Sequence, residues 1–207
     1  MLSQIEQVQL PEGPYGLIAA DPAWQFKAWS KKGLGRSPER HYKTMPLEDI
    51  CALPVKDITA RDCHLMLWIT GPCLVAGYHM AVFEAWGFRP SSVAFVWIKT
   101  KKAQPTPLFP LSSLDFHRGL SKTTWQNAEY VMLGRKGSPK RRNNLIHQLI
   151  FAPVRQHSRK PDEFYQRAKD YAGHDVRALE MFARESRPGW DVWGNETEKF
   201  NMERSAS

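Results

Sequence analysis

Short apolar runs recur along this chain, each closed by a turn signal and parted from the next by a polar or helix-patterned stretch. They are residues 15–20 (YGLIAA), 65–69 (LMLWI), 93–98 (VAFVWI), 130–133 (YVML) and 178–182 (ALEMF). Runs of this length suit buried strands. Between them, residues 46–50 suit a short helix. Residues 74–86 carry Leu74, Val75, Tyr78, Val82, Phe83 and Trp86 at helical spacing, with Gly87 as the stop. A further helix opens at Pro161, in the favoured first position, with Asp162 and Glu163 in its first turn and Phe164, Tyr165, Ala168 and Tyr171 on its apolar face. Strands alternating with helices predict an α/β fold, a mostly parallel sheet with helices on both faces. The polar stretch 25–43 is long for a connection, as functional or mobile loops are, and the Pro- and Ser-rich stretch 104–122 also suits a loop.

The length of 207 residues suits one domain spanning residues 1–207. No apolar run reaches the roughly 18 residues of a membrane span, and the first residues do not have the pattern of a signal peptide. The expectation is a cytoplasmic protein with no membrane partner. Cys51, Cys63 and Cys73 are odd in number and are not spaced as zinc ligands, so they read as reduced thiols and no metal is expected. The formal charge of +8 suits a polyanionic partner, because each neutralised phosphate releases counterions. The cations form two knots, Lys99 with Lys101 and Lys102, and Arg135, Lys136, Lys140, Arg141 and Arg142 around Gly137-Ser138-Pro139. Taken singly, either knot also suits a solvated turn.

In an open parallel sheet, ligands bind beyond the carboxyl ends of the strands. Two segments fall there. Asp21-Pro22-Ala23-Trp24 follows the first strand, and residues 184–196 (RESRPGWDVWGNE) follow the last. An amine attached to an aromatic ring is a poor nucleophile, since its lone pair is delocalised. If the Asp21 carboxylate and the Pro22 carbonyl each accept one amino hydrogen, the nitrogen becomes more tetrahedral as charge develops on it. Trp24 would stack on the extruded base. An Asp-Pro turn with a core tryptophan is the plain alternative, at even odds on the tetrapeptide alone. The second segment combines two tryptophans with arginines, acids and an amide, groups able to contact an adenine face, ribose hydroxyls and a carboxylate. No G-x-G-x-x-G supports a dinucleotide site.

These segments, with HYKTM (41–45), LMLWIT (65–70), AWGF (85–88), FVWIK (95–99), NAEYVMLGRKG (127–137), HSRKPDEFY (157–165) and EMFARESRPGWDVWGNE (180–196), carry a family resemblance. The chain resembles the N(6)-adenine methyltransferase family that includes the catalytic subunit of the messenger-RNA methyltransferase (MT-A-seventy-like), above all its small bacterial and bacteriophage DNA members. The resemblance runs from Tyr15 to Glu196. It implies a Rossmann-like methyltransferase sheet in permuted motif order, with the catalytic loop ahead of the cofactor loop, and S-adenosylmethionine as donor.

By position in the motifs, Lys160 would meet the cofactor's carboxylate, and Arg184 and Ser186 its ribose side. Asn195 and Glu196 would meet the ribose or adenine, Phe182 would line that pocket, and Asp21 would face donor and target together. The family loop is usually Asp-Pro-Pro-Trp, and Ala23 departs from it. The expected partner is DNA, whose bases the stretches 25–43 and 104–122 are both expected to approach, with RNA or a small amine as other substrates. A catalytically silent nucleic-acid-binding subunit of the same fold is the rival from another class. Monomer and homodimer both stay open.

Overall fold

The first four apolar runs read from the sequence lie in strands, three of which extend beyond them, and the last run overshoots its strand by one residue, Phe182. The computed structural model describes residues 9–25, 44–101, 115–119, 123–156 and 159–200. In chain order the elements are β1 (Tyr15–Ala20), α1 (Leu47–Ala52), α2 (Val55–Ile58), β2 (Thr59–Ile69), α3 (Gly71–Val75), α4 (Tyr78–Trp86), β3 (Arg89–Thr100), β4 (Ala128–Lys136), β5 (Leu149–Pro153), α5 (Asp162–Ala172), β6 (Ala178–Met181) and β7 (Asp191–Trp193). The loops expected at 25–43 and 104–122 lie almost wholly outside the described residues, as does Lys102.

The seven strands form one sheet in the order β5-β3-β4-β2-β1-β6-β7. β1 pairs in parallel with β2 and β6, β6 with β7, and β3 with β5. β4 alone runs against its neighbours, β2 and β3. The sheet is therefore mixed and mostly parallel. The reversal of β4 decides which side chains meet at the site.

Alternation along the central strands sends side chains to two cores. Ile18, Ala20, Leu65, Leu67 and Ile69 face one side, against Ile50 of α1, Val55 and Ile58 of α2, and Val82, Phe83 and Trp86 of α4. Leu17, Ala19, Met66 and Trp68 face the other, against Phe164, Tyr165, Ala168 and Ala172 of α5. Fully burying such a side chain contributes about 1.5–3 kcal/mol. Both faces are thus covered by helices, as the alternation of elements predicts.

The helix expected at 74–86 is two. Gly77 takes φ 76°, a left-handed turn that ends α3 and opens α4. At the other end Gly87, φ 77°, returns its N–H to the carbonyls of Phe83 and Glu84. The Trp86 indole donates to the Ile50 carbonyl at 3.0 Å and pins α4 on α1. Pro161 is the N-cap of α5 rather than its first helical residue. β5 and β7, three to five residues long, were not foreseen. Among the described residues no helix is long and apolar enough to cross a membrane, and no cluster of metal-ligating side chains occurs.

Candidate active site

β1 ends at Ala20, and the chain leaves the sheet through Asp21-Pro22-Ala23-Trp24. The Trp24 N–H donates to the Pro22 carbonyl at 2.8 Å, closing a three-residue turn centred on Ala23. The Ala23 carbonyl accepts from Met45 N–H at 2.8 Å, which ties the loop to the strand-like bridge Trp24–Met45. The Pro22 carbonyl keeps a second lone pair, so the turn does not cancel its capacity to accept an amino hydrogen.

Trp24 sits otherwise than expected. Its ring is 4% exposed, packs against Tyr78 at 6.0 Å between centroids, and donates its indole N–H to the Trp68 carbonyl at 3.1 Å. A buried ring with its donor satisfied offers no open face for a base. Trp24 is the anchor that fixes the loop to the end of β2. The Trp24→Phe substitution keeps an aromatic ring and removes the donor to a buried carbonyl. It should cost about 1–3 kcal/mol of stability, read as a lowered denaturant midpoint.

Asp21 meets Lys160, whose ammonium lies 2.7 Å from Asp21 Oδ2 and 3.1 Å from Glu129 Oε2. Lys160 comes from the segment just before α5, and Glu129 from the start of β4. Because β4 runs opposite to β1, its first residues emerge at the edge where β1 ends. The other Glu129 oxygen takes the ammonium of Lys99 from the end of β3. The result is a row of alternating charge, Asp21, Lys160, Glu129, Lys99, with Trp68 beneath Lys160 and Trp97 beneath Lys99.

Burial works against charge in both central members of this row, and the pairing outweighs it. The neighbouring Lys160 and Lys99 hold the Glu129 carboxyl down to about 2, and Asp21 and Glu129 hold Lys160 above the ordinary lysine range. Sequence reasoning missed Glu129. Its only signal was an acid inside the apolar strand AEYVML, which a short-strand reading of 130–133 left outside. Lys99 also changes role. Its side chain is 18% exposed and engaged by Glu129, so it belongs to this row and is not a free phosphate contact.

The second expected segment lies at the ends of β6 and β7. Phe182 leaves β6 with φ 62°, a left-handed conformation that costs a non-glycine residue about 1–3 kcal/mol. Its ring meets Trp193 edge-on at 5.5 Å. A Cβ on Gly194 would stand 2.6 Å from the Ala183 carbonyl, so only glycine allows the two turns to touch. Arg184 and Glu196 bind each other, with contacts of 2.7 and 2.9 Å, and Arg184 lies over the Phe200 ring. Ser186 and Asn195 are exposed on the same stretch.

A buried ion knot holds this stretch to the Lys160 segment. Arg187 reaches Glu180 at 2.9 Å, Glu185 at 2.9 Å and Asp162 at 3.1 Å, and stacks on Tyr165. Arg159 reaches Glu185 at 3.1 Å. Both loops are therefore set by groups that cannot move independently.

The structure does not bring the two basic knots together. Arg135 and Lys136 end β4 beside Cys63 and His64, at the start of β2. That is the edge opposite Asp21. Lys136 donates to Thr59 and to the Lys56 carbonyl, and Arg142 pairs with Asp175 at 3.4 Å. Lys101, Arg135, Lys140, Arg141 and Arg142 are exposed.

An open, mostly parallel α/β sheet whose central strands end in a carboxylate loop and a charged, aromatic loop is the frame of a ligand-binding α/β enzyme. The MT-A70 family model matches residues 15–196, and the chain belongs to that family. It is 31% identical over 207 residues to the type II methyltransferase M.MunI of a Mycoplasma species, covering 91% of this chain and 80% of that protein. It is 31% identical over 201 residues to the human N(6)-adenine-specific methyltransferase METTL4, covering 90% of this chain and 38% of the relative. An Arabidopsis thaliana N(6)-adenosine-methyltransferase MT-A70-like protein is 29% identical over 188 residues, with 89% and 24% covered. The chain thus spans most of the Mycoplasma relative and well under half of the human and plant ones.

Proposed function

We propose that this protein transfers the methyl group of S-adenosylmethionine to the exocyclic 6-amino group of adenine in DNA. The observation that carries the reading is the Asp21 carboxylate, fixed by Lys160 at the mouth of β1 and followed directly by the Pro22 carbonyl. The reading includes a Rossmann-like methyltransferase fold in permuted order, since the loop that would do chemistry, after β1, precedes the loop after β6 that would hold the donor.

The residues present fit such a donor. Lys160 has three N–H groups, and two of them face Asp21 and Glu129, which leaves one for a carboxylate. Arg184, Ser186, Asn195 and Glu196 offer the donors and acceptors that ribose hydroxyls need. Phe182 and Trp193 offer an apolar wall for a purine. When bound, the sulfonium supplies an electrophilic methyl group.

The protein's own part is to prepare the amine. Asp21 Oδ and the spare lone pair of Pro22 each accept one amino hydrogen, so the nitrogen lone pair turns towards the donor. Charge growing on nitrogen during transfer is met by the carboxylate, which needs no reorganisation because Lys160 already holds it. The amino hydrogen bonded to Asp21 then leaves as a proton along that bond to water, giving the neutral methylamine. Lys160 in turn is kept in place by Glu129, and Glu129 by Lys99.

DNA is preferred to RNA because the Mycoplasma relative, most of whose length the chain spans, is a type II methyltransferase. The test is transfer of labelled methyl from S-adenosylmethionine to DNA and to RNA, with digestion to identify the methylated base. Product on adenine in DNA supports the reading. Tight binding of nucleic acid with no product on either polymer would leave the silent-subunit reading in its place. Calorimetry on Lys160→Met should show a clear loss of S-adenosylmethionine affinity, and unchanged affinity would remove Lys160 from the donor site.

Ala23 is expected to be tolerated and improvable. Among the described residues its N–H has no backbone partner, and proline suits the centre of a three-residue turn closed by Pro22 and Trp24. Ala23→Pro should leave turnover intact or raise it, and add about 0.4–1 kcal/mol of stability by restricting the unfolded chain. Lower stability together with lower turnover would mean that the turn is misread.

A further inference from the structure

The edge of the sheet opposite Asp21 carries a built cleft that the reaction does not use. It has a volume of about 180 Å³ and opens between the start of β3, the end of β4, the loop after β4 and the last turns of α5. Val93, Ile146 and Tyr171, all half-buried, give the cleft its apolar sides, while Ser92, Arg141 and Asn144 are its exposed members. Backbone and side-chain bonds fix its rim. Arg142 N–H donates to the Tyr171 carbonyl at 2.8 Å, Gln148 Nε2 to the Val93 carbonyl at 2.8 Å, and Leu145 N–H to Asn143 Oδ1 at 2.8 Å. The Tyr171 ring is itself held edge-on by His64 at 5.0 Å.

We infer that this cleft binds a nucleotide, with its base inside and its phosphate at the rim. Half-buried aromatic and aliphatic sides suit the face of a base. Amide and hydroxyl groups at the rim both donate and accept, as base edges require, and no acid lines the cleft. Among the described residues Arg141, which lines the cleft, and Lys140, which precedes it in the chain, form no ion pair, so the loop after β4 offers cations for phosphate. The volume admits one base and no secondary-structure element.

Two sources share this chemistry, a nucleotide of the bound strand and a free mononucleotide. The strand is the source that the cations favour, because they extend past the cleft along the loop after β4. The site is distinct from the one that would take the target adenine. Glu129 and Arg135 are six residues apart on β4, about 20 Å at roughly 3.3 Å per residue.

This inference rests on the nucleic-acid reading above, and its test reads binding and cross-linking instead of methyl transfer, so the two can fail separately. Full-length protein is titrated with single strands of about four and about sixteen nucleotides carrying 5-iodouracil, then irradiated and mapped by mass spectrometry. The longer strand should cross-link to Tyr171 or to residues 143–146. Arg141→Glu and Asn144→Asp, both at exposed positions, should weaken the longer strand tenfold or more and the shorter one less than twofold.

Adenosine monophosphate should protect the cleft from cross-linking where inorganic phosphate does not. Protection by the mononucleotide with unchanged long-strand affinity in both variants would assign the cleft to the free nucleotide. Equal protection by phosphate would reduce it to an anion site and overturn the base-binding part. No cross-link, no protection and no effect of either variant would overturn the inference as a whole.

Discussion

Asp21→Asn should lower methyl transfer by about 100- to 1000-fold while the protein stays folded, the usual loss when one preorganised group facing developing charge is removed. The asparagine fits the same volume, but it has only one oxygen to share. If that oxygen turns to Lys160, which stands 2.7 Å from the present carboxylate, the amide NH2 points at the amino group of the substrate and a donor meets a donor. If it turns to the substrate, the NH2 faces a buried ammonium. Either orientation removes the charge that would balance the one forming on nitrogen. The affinity for nucleic acid should change far less than turnover, because the interaction is asked for mainly in the transition state. Single-turnover transfer of labelled methyl, beside a denaturant melt of the same sample, separates the two. A folded Asp21→Asn variant as active as the parent would make the loop after β1 a plain turn.

The position of the tetrapeptide around Asp21, directly after β1, was legible because it is local. A strand ending in Asp-Pro states where the carboxylate goes, and the last strand states where the second loop starts. What could not be read depends on strand direction. Nothing in the residues of β4 says that it runs against β2, yet that reversal brings Glu129 to Asp21 and sends Arg135 to the far edge. The same blindness put Lys99 among the phosphate contacts, since a lysine after FVWI looks solvated until its partner across the sheet is known.

Trp24 failed for a different reason. The pattern of a tetrapeptide tells which groups are present but not which way an indole turns, and here the core claimed it through the Trp68 carbonyl. The short strands β5 and β7 escaped because three to five residues give no periodicity to count.

Glu129→Gln is expected to have the largest effect on the fold. The carboxylate lies between two lysines, with only 14% of its side chain exposed, and amidation leaves both ammoniums near each other without their shared counter-charge. Breaking a buried pair in this way costs about 3–5 kcal/mol. Activity should fall with it, since Lys160 then has only Asp21 to hold it and pulls that carboxylate away from the substrate. A pH series distinguishes this from simple loss of packing. The pairing with Lys160 and Lys99 outweighs burial and lowers the Glu129 carboxyl from its ordinary value of 4.5 to about 2 in the folded protein. Its contribution is therefore fully present above about pH 4.5 and disappears as pH falls towards 2. Asp62, Asp162, Asp191 and Glu196 are also held below the ordinary carboxylate range, so the parent's acid sensitivity alone decides nothing. The decisive quantity is the difference in stability between parent and Glu129→Gln. It should be largest at neutral pH and shrink steadily as the solution is acidified through that window. A difference that stays constant down to pH 2 would mean that Glu129 contributes shape rather than charge, and the row from Asp21 to Lys99 would lose its organising member.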